Sequence, residues 1–226
     1  MGRHSPPGAR PPVVEVRSTR RRRASSTRWL SRQLNDPYVA EARRLGYRSR
    51  AAFKLIELDA RFRLLRPGQR VVDLGCAPGG WMQVAIARVG RHGRVVGLDL
   101  AETAPLSGAI LLCADIRDPA TPGSLTAALG GLAGVVLSDI APAATGHAAT
   151  DHLRIVALAE EAFAVAAQIL APGGAFVAKV YQGGAEGTLL ASLKREFAEL
   201  RHAKPPASRA ESAETYVVAR GFRGTR

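Results

Sequence analysis

A single α/β domain on a mostly parallel sheet is the fold class the sequence predicts. Three observations predict it. Short apolar runs alternate with stretches of helical periodicity through the middle of the chain. Glycine-bearing turns such as "APGG" and "GRHG" separate them. A hydrophobic content of 46% over 226 residues suffices for one sizeable core plus tails. Strands that alternate with helices pair in parallel and are covered on both faces.

The elements follow in chain order. Residues 1–27 hold Pro6, Pro7, Pro11, Pro12 and the run Arg20–Arg23, without apolar periodicity. They read as a disordered basic tail. A mitochondrial transit peptide is also arginine-rich and acid-poor, but these prolines oppose the amphipathic helix it needs. The folded domain is expected over 28–226. In "SRAAFKLIELDARFRLL", Phe53, Leu55, Ile56, Leu58 and Phe62 recur close to helical spacing, and Pro67-Gly68 ends the run. Strands are expected at 70–74, 94–99, 109–113, 134–138, 174–180, 199–204 and 214–220, and helices at 79–89, 122–130, 150–170 and 186–198. "LAETAPLSGA" is short for a crossover, so a helix there is missing or reduced. "PPASRAESA", before the last strand, is too short for a helical crossover, so that strand enters antiparallel.

Charge is unevenly placed. Residues 1–50 hold 13 Lys/Arg against 3 acids, 51–193 hold 11 against 12, and 194–226 hold 8 against 4. A neutral body with basic ends suits a polyanionic partner, because each cation set on a phosphate releases counterions. Arg28, Arg32, Arg43, Arg44, Arg48 and Arg50, interleaved with Trp29, Tyr38 and Tyr47, form a candidate surface for phosphates and stacked bases. Cys76, Cys113 and five scattered histidines show no metal-ligand spacing, so no metal is expected. No run reaches transmembrane length and no signal-peptide pattern opens the chain, which reads as a cytoplasmic protein without a membrane partner.

"VVDLGCAPGGW", residues 71–81, runs from a strand into a glycine turn. It is no P-loop, which needs a Lys-Ser/Thr pair after its last glycine, and no dinucleotide fingerprint, which needs G-x-G-x-x-G. The next strand ends at Asp99, placed to accept from a ribose diol. The third leads to Asp115, placed to accept from an adenine amino group. Two carboxylates without a phosphate binder fit S-adenosylmethionine. Four further residues stand out. Asp139 lies where the fourth strand ends, Lys179 inside an apolar strand, Lys54 between Phe53 and Leu55, and Glu214 at the start of the last strand. A lysine in a buried strand is costly unless paired or functional. All four can converge at the carboxyl edge of the sheet.

On "YRSRAAFKL", "VVDLGCAPGGW", "GLDL", "DIRD", "LSDIAP", "LAPGGAFVAKVYQG" and "KPPASRAESAETYVVA", the chain from about Trp29 to Arg220 resembles the FtsJ/RrmJ family of ribose 2′-O-methyltransferases. The resemblance implies a Rossmann-like methyltransferase fold, with a seven-stranded sheet and an antiparallel final hairpin. It implies S-adenosylmethionine as cofactor and a Lys-Asp-Lys-Glu tetrad on Lys54, Asp139, Lys179 and Glu214. Glu214 is preferred over Glu211 because it directly precedes "TYVVA". Cofactor contacts fall on Gly79, Trp81, Asp99, Asp115 and Asp139. The implied substrate is a uridine of 23S ribosomal RNA in the large ribosomal subunit, and the implied state a monomer. Alternatives are transfer RNA or another RNA as acceptor, or a non-catalytic RNA-binding assembly factor on the same fold. Cys76, where the family favours a smaller residue such as alanine, and the long basic tail depart from the pattern. Two roles for Lys179 stay open: a neutral base, or a charged group that orients the hydroxyl and stabilises oxyanion charge.

Overall fold

A computed structural model describes residues 34–142, 145–181 and 187–224. The expected tail, 1–27, lies outside them. Seven strands form one sheet in the order β3-β2-β1-β4-β5-β7-β6. In chain order these are β1 (Arg70–Leu74), β2 (Arg94–Asp99), β3 (Ala109–Cys113), β4 (Ala133–Ser138), β5 (Leu170–Tyr181), β6 (Phe197–Ala203) and β7 (Glu214–Phe222). Only β7 runs against its neighbours, and it wedges between β5 and β6. The expected seven strands and antiparallel last strand are therefore both present.

The helices are α1 (Pro37–Arg44), α2 (Ala51–Phe62), α3 (Gly80–Val89), α4 (Thr121–Leu129), α5 (Ala148–Ile169) and α6 (Gly187–Glu196). Period-two alternation in the central strands divides the core in two. Val72, Leu74, Val96, Leu98 and Val136 face the layer of α4, α5 and α6. Val71, Val95, Val135, Leu137 and Val177 face that of α2 and α3. Neighbouring side chains of one strand point to opposite faces, so strands buried on both sides must be apolar throughout. Residues 100–108 hold no helix, as the short connection implied, and edge strand β3 keeps Ile110 exposed.

Three differences from the sequence expectation exceed two residues. The α2 helix stops at Phe62, not at Pro67, because Arg63 takes a left-handed cap (φ 53°). Asp59 Oδ1 then accepts from Leu65 N at 2.8 Å and holds the following chain extended. The α1 helix was not anticipated. Its signal was present in Asp36-Pro37: the Asp36 side chain accepts from Tyr38 N, with Pro37 in the first helical turn. Finally, β5 begins at Leu170, four residues early, because Leu170 pairs with Ala133 across a register shift.

The turn after β1 requires glycine at Gly75. Its φ is +75°, and a Cβ there would lie 2.4 Å from Ile140 Cγ1 and 3.2 Å from Ile140 Cα. The backbone N–H groups of Gly75 and Cys76 both donate to Leu98 O, which locks the turn against β2. Gly75→Ala is expected to cost about 1–2 kcal/mol for the left-handed backbone alone. Displacement of Ile140 adds to that cost. Thermal denaturation should show Tm lowered by several degrees, and an unchanged Tm would contradict this account of the turn.

Candidate active site

Two strands, one helix and the loop after β4 bring four charged side chains together. Lys179 in β5 stands opposite Tyr216 in β7. Glu214 precedes Tyr216 by two residues, so strand alternation puts all three on the face covered by α2. From α2, Lys54 reaches down beside buried Leu55 and Leu58. Asp139 enters from the loop that follows β4.

Lys179 Nζ lies 2.8 Å from Asp139 Oδ1 and 3.8 Å from Glu214 Oε2. It also donates to the Asp139 carbonyl at 2.9 Å. Lys54 Nζ lies 2.8 Å from Glu214 Oε1 and 3.7 Å from Asp139 Oδ2. Each lysine thus touches both acids. The two carboxylate side chains are 15% exposed, against 7% and 9% for Lys179 and Lys54, so the opening of the cluster lies on the acid side.

Burial opposes the charges of Asp139, Glu214 and Lys179, yet pairing wins. It would raise the Asp139 carboxyl, but Lys179 and Lys54 hold it below its ordinary value. Glu214 is likewise held low by Lys54 and Lys179 against burial and the Asp139 charge. Lys179 would be lowered by burial, but Asp139 and Glu214 raise it above the ordinary lysine value, so it is an ammonium at neutral pH. That settles the sign of its shift, which sequence left open.

Three participants were not foreseen. Tyr216 is fully buried, and its hydroxyl donates to Asp139 Oδ1 at 2.7 Å and approaches Glu214 Oε1 at 3.3 Å. Burial and the two acids push that phenol well up, so it remains a donor. A tyrosine in the apolar run "TYVVA" was the available signal, since a buried phenol needs a partner. Ser208 donates to Glu214 Oε1 at 2.8 Å. Its loop is tied to α2, with Ala207 N donating to Glu57 and Arg50 donating to Ala207 O. No local pattern marks Ser208. The third is Asp73 in β1, 1% exposed, whose carboxylate has no hydrogen-bond partner among the described residues. Burial, then Asp139 and Asp99, raise its carboxyl well above the ordinary value. An acid inside "VVDLG" was the visible clue.

Beside the cluster, a cavity of about 370 Å³ opens at the carboxyl ends of β1, β2 and β4. Gly75, Ala77, Leu98, Asp99, Asp115, Asp139 and Ile140 line it. Asp139 belongs to both the cavity and the charged cluster. Asp99 is braced by two backbone donors, Ala77 N to Oδ2 and Ala101 N to Oδ1, each at 2.9 Å. Asp115 accepts from Arg117 N at 2.9 Å. Of the residues expected at the cofactor, Asp99, Asp115 and Asp139 line this cavity, whereas Gly79 and Trp81 do not. Gly79 caps α3 at φ 109° and faces the Arg48 guanidinium. Trp81 is 3% exposed, donates to Ala51 O at 2.7 Å and packs on Tyr216 at 5.7 Å between ring centroids. It braces α2 and the tyrosine of the cluster. Cys76 is buried under the turn, and burial pushes its thiol up to about 12, so it stays protonated.

A family model of FtsJ-like methyltransferases matches residues 47–222, a span that holds the charged cluster and the cavity. The chain belongs to that family. Among relatives of this FtsJ-like methyltransferase is "Ribosomal RNA large subunit methyltransferase E" of Paramagnetospirillum magneticum. It is 60% identical over 223 residues, covering 96% of this chain and 91% of the relative. The protein of the same name from Azorhizobium caulinodans is 57% identical over 222 residues, covering 97% and 92%. A solved structure from Plasmodium falciparum, described as a ribosomal RNA methyltransferase, superposes with a TM-score of 0.72 at 30% identity. That match covers 79% of this chain and all of the other. No helix among the described residues is long and apolar enough to cross a membrane.

The basic N-terminal stretch differs in part from its sequence reading. Arg28, Trp29 and Arg32 lie outside the described residues. Arg50 is no free phosphate ligand, since its Nε lies 2.9 Å from Asp36 Oδ2. Arg48 donates to Ala104 O and Pro105 O, clamping the loop after β2. Arg44 pairs with Glu41 at 2.6 Å, and Arg43 is exposed. Tyr38 and Tyr47 pack against Phe53. Tertiary packing has taken Tyr38, Tyr47, Arg48 and Arg50 into the scaffold and leaves Arg43 and Arg44 on the surface.

Proposed function

We propose that this methyltransferase transfers a methyl group from S-adenosylmethionine to the ribose 2′-hydroxyl of a uridine in 23S ribosomal RNA of the large subunit. The observation that carries the reading is the double membership of Asp139. One carboxylate borders the cavity and also belongs to the buried Lys54–Lys179–Glu214 cluster. Donor and acceptor therefore have adjoining places, and holding two reactants together lowers the barrier substantially. The names of the relatives support ribosomal RNA as the acceptor.

The residues present fit the cofactor. Asp73, Asp99 and Asp139 gather carboxylate character around the glycine turn, and the buried carboxylate of Asp73 lacks a partner among the described residues. Such a region favours a ligand with cationic groups. Asp99, braced on two amides, keeps lone pairs for a ribose diol, and Asp115 is placed for the adenine side. When bound, S-adenosylmethionine supplies an activated methyl on a sulfonium.

The remaining work falls to this chain. A 2′-hydroxyl is a poor nucleophile and must be oriented. The raised pKa of Lys179 supports its role as a charged donor that fixes the hydroxyl lone pair and stabilises charge on the oxygen. Asp139 and Glu214, held ionised, are the acceptors for the departing proton and keep Lys179 in place. Lys54, Tyr216 and Ser208 position Glu214. A non-catalytic scaffold has no use for such a quartet, because well-packed apolar residues are often at least as stable as a buried ion cluster.

The test is incorporation of labelled methyl into large subunits whose RNA lacks the modification, read as alkali-resistant dinucleotides. Label is expected in a uridine-containing dinucleotide of the large-subunit RNA. Label confined to transfer RNA, or none in any RNA, would overturn the assignment.

A further inference from the structure

The body of the chain is neutral in sum, but its charge is sorted by the fold. Residues 61–94 carry seven arginines against one acid, the buried Asp73. Parallel strands begin at one edge of a sheet and end at the other. Arg70 opens β1 and Arg94 opens β2, and the two stand in register on neighbouring strands. The turn before β1 is bonded to the turn before β2: Gly68 N donates to Val89 O at 2.8 Å and Arg94 N to Gln69 O at 3.0 Å. Arg66 in the first turn and Arg91 in the second therefore join the pair, and Arg63 follows the end of α2 nearby. All five are exposed, and among the described residues none of them forms an ion pair. Arg88, one helical turn away, is paired with Asp59. Like charges set opposite on adjacent strands repel, so this edge is poised for an external anion.

The carboxylates Asp73, Asp99, Asp115 and Asp139 lie at or beyond the opposite ends of the strands, at the charged cluster and cavity. Arg70 to Leu74 alone spans roughly 13 Å of strand. A nucleotide reaching the cavity therefore leaves the arginine edge facing away from it.

We propose that this edge, centred on Arg66, Arg70, Arg91 and Arg94, is a second RNA-binding surface. It grips the phosphate backbone of an rRNA segment other than the one that enters the active site. The inference rests on the ribosomal RNA reading given above. It makes the folded large subunit, and not a short stem around the target, the substrate that the chain holds best. Arginine suits the task because its planar guanidinium binds phosphate oxygens in pairs.

The experiment is a salt titration of binding, with the intact chain, to purified large subunits and to a short RNA stem carrying the target uridine. Wild type is compared with a variant combining Arg66→Gln, Arg70→Gln, Arg91→Gln and Arg94→Gln, and with one carrying lysine at the same four positions. The glutamine variant is expected to lose about tenfold or more in subunit affinity near ~0.1 M salt, with the log–log salt slope reduced by about three. Its affinity for the short stem, its S-adenosylmethionine binding and its Tm should stay at wild-type values. The lysine variant should keep most of the slope. Unchanged subunit affinity and slope in the glutamine variant would overturn the proposal. So would an equal loss on the short stem, or loss of binding to phosphatidylglycerol vesicles with subunit binding intact. Failure of the wild type to methylate any ribosomal RNA would defeat the activity assigned above, whereas the binding slopes decide this surface independently.

Discussion

Lys179→Ala is expected to abolish methyl transfer, by about 10²–10⁴-fold or more in kcat, while S-adenosylmethionine still binds. The side chain contacts both carboxylates of the cluster and is not among the residues lining the cavity, so its loss should fall on chemistry and not on cofactor affinity. Single-turnover methylation and calorimetry separate the two, and near wild-type turnover in this variant would remove Lys179 from the mechanism. The wild-type pH profile discriminates its roles. Asp139 and Glu214 raise the Lys179 ammonium pKa above 10.5. An orienting ammonium predicts kcat/KM flat from about pH 6 to about pH 9, falling only as pH rises through the raised lysine value. A neutral amine acting as base predicts a tenfold rise per pH unit across that range. The first profile is expected.

Asp139→Ala is expected to lose both activity and stability. It removes a carboxylate bonded to Lys179 and Tyr216 and close to Lys54, leaving two lysines to share Glu214. Breaking one partner out of a buried ion cluster costs about 3–5 kcal/mol, because the remaining charge stays buried without compensation. For a chain of this size that lowers Tm by roughly 10 °C. The linkage signs follow from the shifts. Asp139 and Glu214 are lowered on folding, so their contribution is present above their ordinary values of 3.8 and 4.5 and is lost as pH falls through the folded values. Lys179 is raised, so its contribution is present below 10.5 and is lost as pH rises through its folded value. Removing Asp139 takes away the larger of the two charges that raise Lys179, so the alkaline loss of stability should be smaller than in wild type and complete at lower pH. A Tm within about 2 °C of wild type, with an unshifted alkaline limb, would contradict the geometry of the cluster.

Much of this molecule was legible along the chain because its signals are local. Apolar runs with period two marked the strands, "VVDLG" the turn, and the nine residues of "PPASRAESA" the reversed last strand. Lys179 in a buried strand announced itself by its cost. Local signals do not say which strand face meets which helix, or where a side chain's charge finds its partner. Tyr216 reached Asp139, Lys54 reached Glu214, and Trp81 turned from the cavity to brace Tyr216, all through contacts between segments far apart in sequence.

By itself the sequence determined the α/β class with its reversed last strand and the position of the glycine turn, and it singled out the four charged candidates, since periodicity, turn chemistry and burial cost act over a few neighbours. Only the tertiary structure decided the sign of the Lys179 shift, the isolation of Asp73 and the sorting of a neutral body into an arginine edge and a carboxylate edge. Those depend on distances across the sheet, and electrostatic energies follow distance and burial, not order along the chain.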